Sequence, residues 1–317
     1  MMGAAGASIR RHGLPLIALG AGLGILLPDL AAATRPWLVA ISIVIMLLAL
    51  LRVEPAAFGA VVRQPRVALL ILLWATLGVP LLVWLLLSPL LPAGSPWLAA
   101  AVLIGATPTL ISGAAFALLL GADAALLTVV ALPSNAFAPV WLPLVAAWLG
   151  VGAQVEPWAM AERLGLLVGV SFLGATLVGR LAGRGRLRAA APAIDAWLVL
   201  LVSFSAIPCM DAVGHAVRDR PLDFLGMLCF VMALNLSLQV AGYLLFRRAP
   251  IQAALSASLV SGARNNVLLL AAIGPPGESD LGLLIAAAQL TLFVMPMLVA
   301  PAYRRLRQHR SQGRVPG

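Results

Sequence analysis

No lysine occurs anywhere in this 317-residue sequence, and acidic residues number only 11. All 21 basic residues are therefore arginines, and the formal net charge of +10 rests on them alone. A nucleic-acid-binding chain gathers such charge on one soluble face, with aromatic residues between. Here the arginines fall singly or in short groups between apolar runs, so nucleic acid is excluded as a partner. There are two cysteines, Cys209 and Cys229, both in apolar surroundings, which is too few for a disulfide framework or a metal cluster. The three histidines, His12, His215 and His309, match no metal-ligand spacing, so no cofactor is expected. Charged residues make up 10% of the chain and hydrophobic ones 62%, outside the range of soluble domains and inside that of polytopic membrane proteins.

What is abundant is apolar sequence in runs. A bilayer core needs about 20 apolar residues per helix, and charge, Pro and Gly mark the gaps. Ten segments result: 13–30, 37–53, 67–91, 97–120, 123–149, 159–179, 193–214, 222–246, 251–274 and 280–303. One set of alternate gaps and termini holds Arg10, Arg11, Arg52, Arg63, Arg66, Arg180, Arg184, Arg186, Arg188, Arg247, Arg248, Arg304, Arg305, Arg307, Arg310 and Arg314. The other holds Arg35, Arg163, Arg218 and Arg220. By the positive-inside rule both termini are cytoplasmic, in agreement with an even number of spans across the inner (plasma) membrane. The first segment also has the pattern of a secretory signal, but its cleavage would leave nine spans and spoil that parity. Gly20 and Gly24 form a GxxxG pattern that indicates close helix packing. The hydrophilic tail from Arg304 is too short for a soluble catalytic or sensory module, so the function is expected within the bilayer.

Two segments are interrupted. The fourth reads "WLAAAVLIGATPTLISGAAFALLL" and the ninth "IQAALSASLVSGARNNVLLLAAI". Each has about ten apolar residues, a short polar or small stretch, then a second apolar run too short to span alone. Their centres lie about half the chain apart, which divides the sequence into two five-helix repeats, 1–150 and 151–317. An odd number of spans per repeat inverts the second relative to the first. The expected fold is thus all-α, with discontinuous helices 4 and 9 crossing at the midplane, the sequence pointer to a secondary transporter. Unwound backbone cannot face lipid, so the breaks line a cavity or are buried in protein. Freed N–H groups near Ala114 and Val267 favour anions, and freed carbonyls near Ala106 and Val260 favour cations.

Arg264 stands in the ninth break, too deep to reach the interface, and its insertion costs roughly 2.5–3.5 kcal/mol. Two partners suit it: a bound organic anion gripped bidentately, or the carbonyl ends of the broken helices, where it replaces a coupling cation. A third reading has it lock helix contacts without touching substrate. Asn265 and Asn266 are suited to a ligand or to capping. Thr109 and Ser112 are suited to the same two roles, and Ser134 and Asn135 in the fifth segment reach toward the same cavity. Pro108, Gly113 and Gly262 are the residues of the breaks themselves. Asn235 and Gln239, an i,i+4 pair, share a helix face suited to interhelical hydrogen bonding.

With these broken segments, "GATPTLISGAAFALLLGAD" and "SGARNNVLLLAAI", the sequence resembles the bile acid:sodium symporter family over most of its length. That family breaks its fourth helix at Pro-Gly-Gly…Ser-Asn and its ninth at Glu-Gly-x-Gln-Asn. Pro108, Ser112, Gly262 and Asn265 match, while Gly113, Ser261 and Arg264 replace the Asn, Glu and Gln. The resemblance implies a carrier of small organic anions. The three replaced residues are sodium ligands in the family, leaving Ser112, Ser261 and Asn265 as the positions for any ion. A fixed guanidinium can supply the positive charge that sodium supplies elsewhere, giving a carrier that is not classically sodium-coupled. A metalloid exporter of the arsenite type is expected to have a Cys on the fourth helix and a Glu on the ninth, both missing here. A membrane-embedded receptor or sensor is the alternative of a different class. An enzyme is not expected: there is no His-Glu-x-x-His, and "LVSG" lacks the first Gly of a Gly-x-Ser-Gly nucleophile motif.

Overall fold

The computed structural model describes residues 13–53, 65–111, 113–150, 155–274 and 279–312. Among them every regular element is helical. In chain order these are α1 (Gly13–Leu26), α2 (Pro28–Thr34), a 3-10 turn (Arg35–Trp37) and α3 (Leu38–Leu51). Next come α4 (Pro65–Leu73), a π-helical turn (Trp74–Gly78), α5 (Val79–Leu87), α6 (Pro96–Ala106), α7 (Gly113–Leu120) and α8 (Ala124–Trp148). The remainder are α9 (Pro157–Cys209), α10 (Asp211–Asp219), α11 (Pro221–Phe246), α12 (Ile251–Gly262), α13 (Asn266–Ile273) and α14 (Asp280–Gln312). Five helical stretches are long and apolar enough to cross a membrane, six with α14 counted as one span. Large apolar side chains stand exposed along them, among them Leu85 and Leu86 on α5, Leu173 and Leu181 on α9, and Leu244 and Leu245 on α11. Apolar exposure on this scale belongs to helices that face lipid, and the chain is a membrane-embedded helical protein.

Two compact units interleave along the sequence, one formed by residues 1–53, 139–228 and 266–290, the other by 54–138, 229–265 and 291–317. Each draws on both predicted repeats.

In the first unit, α9 packs along α1 and α3. Gly20 and Gly24 make that approach close: a Cβ at Gly20 would overlap the carbonyl of Ser203, and one at Gly24 the carbonyl of Ile207. The GxxxG pattern is therefore a helix contact. Two sequence expectations are corrected in this unit. The gap holding Arg180, Arg184, Arg186 and Arg188 is helical, and α9 runs on for 53 residues, interrupted at Gly183 (φ 74°, ψ 153°). Arg is a good helix former, so a charged gap need not unwind, and the break falls where a residue without a Cβ accepts positive φ. Arg35, expected in an outer loop, sits in the 3-10 turn at 9% exposure. Its Nη1 donates to the carbonyl of Pro208 (3.3 Å), and its Nη2 to those of Leu270 (3.1 Å) and Gly274 (2.6 Å). It thus caps the carbonyl end of α13, an end also bonded by Arg163 through Ala272 (3.3 Å).

In the second unit the two interrupted segments are seen directly. Ser95 caps α6, its Oγ accepting from the N–H of Trp97, with Pro96 in the first turn. The helix ends where Thr107 turns extended (φ −60°, ψ 139°) before Pro108, which has no N–H to continue it. α12 ends at Gly262, with Ala263 leaving the helical region (φ −82°, ψ 81°). Asp123 caps α8, its Oδ1 accepting from the N–H groups of Ala125 and Leu126 (both 3.0 Å). Around these ends packs one apolar cluster that includes Ile71, Ala75, Leu127, Leu255, Val260, Leu292 and Met295.

Candidate functional site

Between the ends of α6 and α12 the two extended stretches pair. The N–H of Leu110 donates to the carbonyl of Ala263 (3.1 Å), and that of Asn265 to the carbonyl of Pro108 (2.9 Å). These two bonds bracket Thr109 and Arg264, which face each other in an isolated antiparallel bridge. Such a bracketed pair is the narrow, non-hydrogen-bonded kind, with side chains on the same face of the ladder. The breaks thus satisfy part of each other's freed backbone, which bilayer burial demands.

Arg264 is 1% exposed. Its Nε donates to the carbonyl of Ser261 (3.1 Å), and its Nη1 to the carbonyls of Thr107 (3.1 Å) and Ala75 (3.0 Å). Ser261 and Thr107 stand at the carbonyl ends of α12 and α6, where the helix dipoles place partial negative charge. The third acceptor comes from the π turn. The N–H of Val79 bonds the carbonyl of Trp74, five residues back. In that register the carbonyl of Ala75 requires the N–H of residue 80, which is Pro80 and has none. Ala75 is thereby left an open acceptor, and the guanidinium takes it. The same turn aims the indole Nε1 of Trp74 at the Oγ of Ser261 (2.9 Å).

Asn135 and Ser134 on α8 buttress the bridge. Asn135 is fully buried, its Nδ2 donating to the carbonyls of Thr109 (2.7 Å) and Ala131 (2.8 Å), while its Oδ1 accepts from Asn265 Nδ2 (3.3 Å). The Oγ of Ser134 accepts from the N–H of Thr109 (3.3 Å). On α11, Asn235 donates to the carbonyl of Gly262 (2.8 Å) and accepts from Gln239 (2.7 Å), so this pair does bond across helices. Tyr303 on α14 extends the chain, its hydroxyl meeting Gln239 Oε1 (3.0 Å) and Ser258 Oγ (2.7 Å). Beside these groups lies a shallow cleft lined by Asn235, Gln239, Gly262, Met295 and Pro296, among others. A Cβ on Gly262 would overlap the Gln239 side chain and Asn235 Oδ1, so this close approach needs glycine.

Of the residues singled out from sequence, Arg264, Asn265, Thr109, Asn135, Pro108, Ser261 and Gly262 come together around this bridge. Asn266 opens α13 in the first unit and Gly113 opens α7. Ser112, and the topology-counted Arg10, Arg11, Arg63 and Arg314, lie outside the described residues. Sequence reasoning did not find Ala75 and Trp74; the available signal was Pro80, which falls near the middle of its apolar run. In comparisons with known proteins, no family model and no curated protein matches the chain.

Proposed function

We propose that this protein is a secondary carrier of a small organic anion that works by alternating access, with Arg264 supplying fixed positive charge where two broken helices cross. The observation that carries the reading is the guanidinium held by the carbonyl ends of both first half-helices, Thr107 and Ser261. That position, facing two partial negative charges in a buried cradle, is one a coupling cation would suit. A covalently attached cation there makes bound sodium unnecessary, and transport is accordingly independent of it.

The finer architecture belongs to the same proposal: ten spans in two inverted five-helix repeats, as in the bile acid:sodium symporter family. Matching half-helix lengths support it, with 11 and 8 residues in α6 and α7 and 12 and 8 in α12 and α13. Both second halves end at a positive-φ glycine, Gly121 and Gly274, each with an arginine guanidinium against it, Arg307 and Arg163 respectively. Counting α9 as two spans either side of Gly183, α2 with α3, α4 with α5 and each broken pair as one, and setting aside the short α10, the described helices are compatible with ten crossings. The arginine asymmetry puts both termini on the cytoplasmic side of the inner membrane. Asn265, Asn135 and Thr109 complete the site around Arg264.

Counterflow uptake of small carboxylates into proteoliposomes, with and without sodium, tests the reading. Arg264→Gln is expected to lower uptake by about tenfold or more, the loss of one charge-assisted contact, or to make it sodium-dependent. Sodium-independent uptake at the wild-type rate in that variant defeats the assignment.

A further inference from the structure

Two buried side-chain atoms at the bridge have no hydrogen-bond partner among the described residues: Nη2 of Arg264 and Oγ1 of Thr109. A third such atom, Oγ1 of Thr76, belongs to the π turn, one residue along the chain from Ala75, whose carbonyl meets Nη1. Native proteins satisfy almost all buried polar atoms, and those of a charged group are the most costly to leave open. Thr109 and Arg264 share one face of the ladder, so their side chains are neighbours by backbone geometry.

Charge balance points the same way. The ion pairs among the described residues are Arg52–Asp195 and Arg220–Asp280, and no carboxylate among them is paired with Arg264. Three carbonyls lend it partial charge and leave a full positive charge in a buried site. A water molecule would fill the open valences and leave that charge uncompensated. An anion does both.

We infer that Nη2 of Arg264, together with the hydroxyls of Thr109 and Thr76, forms a subsite for a small monovalent anion held through a single atom, a halide or one oxygen of a monocarboxylate. Binding itself stands on these atoms, and only the passage of the bound anion across the membrane rests on the carrier reading. Single-atom engagement is dictated by which donors are taken. A bidentate grip on carboxylate uses two guanidinium nitrogens, and here Nε and Nη1 are already bonded to carbonyls. The expected bidentate contact is therefore not open in this conformation, and a second carboxylate on the ligand gains nothing from this arginine.

The test takes the full-length protein in detergent, in a dilute choline–Hepes buffer without halide or carboxylate, and follows thermal unfolding by tryptophan fluorescence as choline chloride, choline formate or choline succinate is added. Chloride and formate are expected to raise the unfolding temperature saturably without sodium, and succinate to need several-fold more. Thr109→Val, which keeps the shape and removes the hydroxyl, is expected to raise the half-saturating concentration about tenfold; Thr76→Val is the second variant. No saturable rise with either monovalent anion, or a rise that neither variant weakens, overturns the subsite. Formate binding that Thr109→Val weakens, with no formate entering proteoliposomes, upholds the subsite and overturns the carrier. Formate uptake that is indifferent to both variants overturns the subsite and leaves the carrier standing.

Discussion

Each compact unit buries one arginine against main-chain carbonyls, and the two are bonded differently. Arg35 donates to Pro208, Leu270 and Gly274, and Asp211 is close enough to act on it electrostatically. Neither of its terminal nitrogens is without a partner. Arg264 donates to Ser261, Thr107 and Ala75, has no carboxylate partner among the described residues, and keeps Nη2 open. The first is a finished structural contact that ties α13's carbonyl end to its neighbours. The second is incomplete in both valence and charge. What distinguishes the two is therefore the unused donor, which is the ground for proposing that Arg264 binds a ligand and Arg35 does not.

Substitutions at the two arginines break this comparison, one chiefly in stability and the other chiefly in uptake. Arg35→Gln leaves the Asp211 charge and three carbonyls poorly compensated, and the expected loss is about 3 kcal/mol or more of stability, measured by denaturation in detergent; an unchanged denaturation midpoint would refute the structural role. Arg264→Gln removes a charge with no carboxylate partner among the described residues but also leaves the carbonyls of Ser261, Thr107 and Ala75 without their donor, so its stability loss is expected to be smaller than that of Arg35→Gln, about 1–2 kcal/mol, while uptake into proteoliposomes falls. Gly262→Ala pushes a methyl into Gln239 and Asn235, with an expected cost of about 1–2 kcal/mol, read from the same denaturation curves. The smallest effect is expected at Arg52→Gln, which removes a partly exposed ion pair with Asp195 and costs under about 1 kcal/mol; its salt dependence is the sharper readout, because screening weakens the wild-type pair and leaves the variant unaffected.

The interrupted helices were legible because an insoluble contradiction is written into them. Polar residues, Pro108 and Gly262 lie within runs that otherwise match a bilayer, and a helix cannot absorb all of these at once. Arg264 was legible for the same reason. Arg35 was not, since a topology count treats every arginine between apolar runs as solvated, and nothing local to "TRPW" says which carbonyls come to meet it. Those carbonyls belong to residues 173 to 239 positions away in sequence. The helical character of 180–192 was hidden because charge marks water contact, and a helix satisfies its own backbone in water as well as in lipid. The open carbonyl of Ala75 was legible in principle from Pro80, but only once the π register of Val79 was known.

The bridge of Thr109 and Arg264 also bears on how such a molecule could move. Two backbone bonds between the paired stretches and one guanidinium fasten the end of α6 to the end of α12, so the crossing behaves as a rivet. The two snapped strands turn together or not at all. If the chain is the carrier proposed above, its stroke must take its bending from the segments leaving this joint, and a spin label on each side of it should report a fixed separation with and without bound anion.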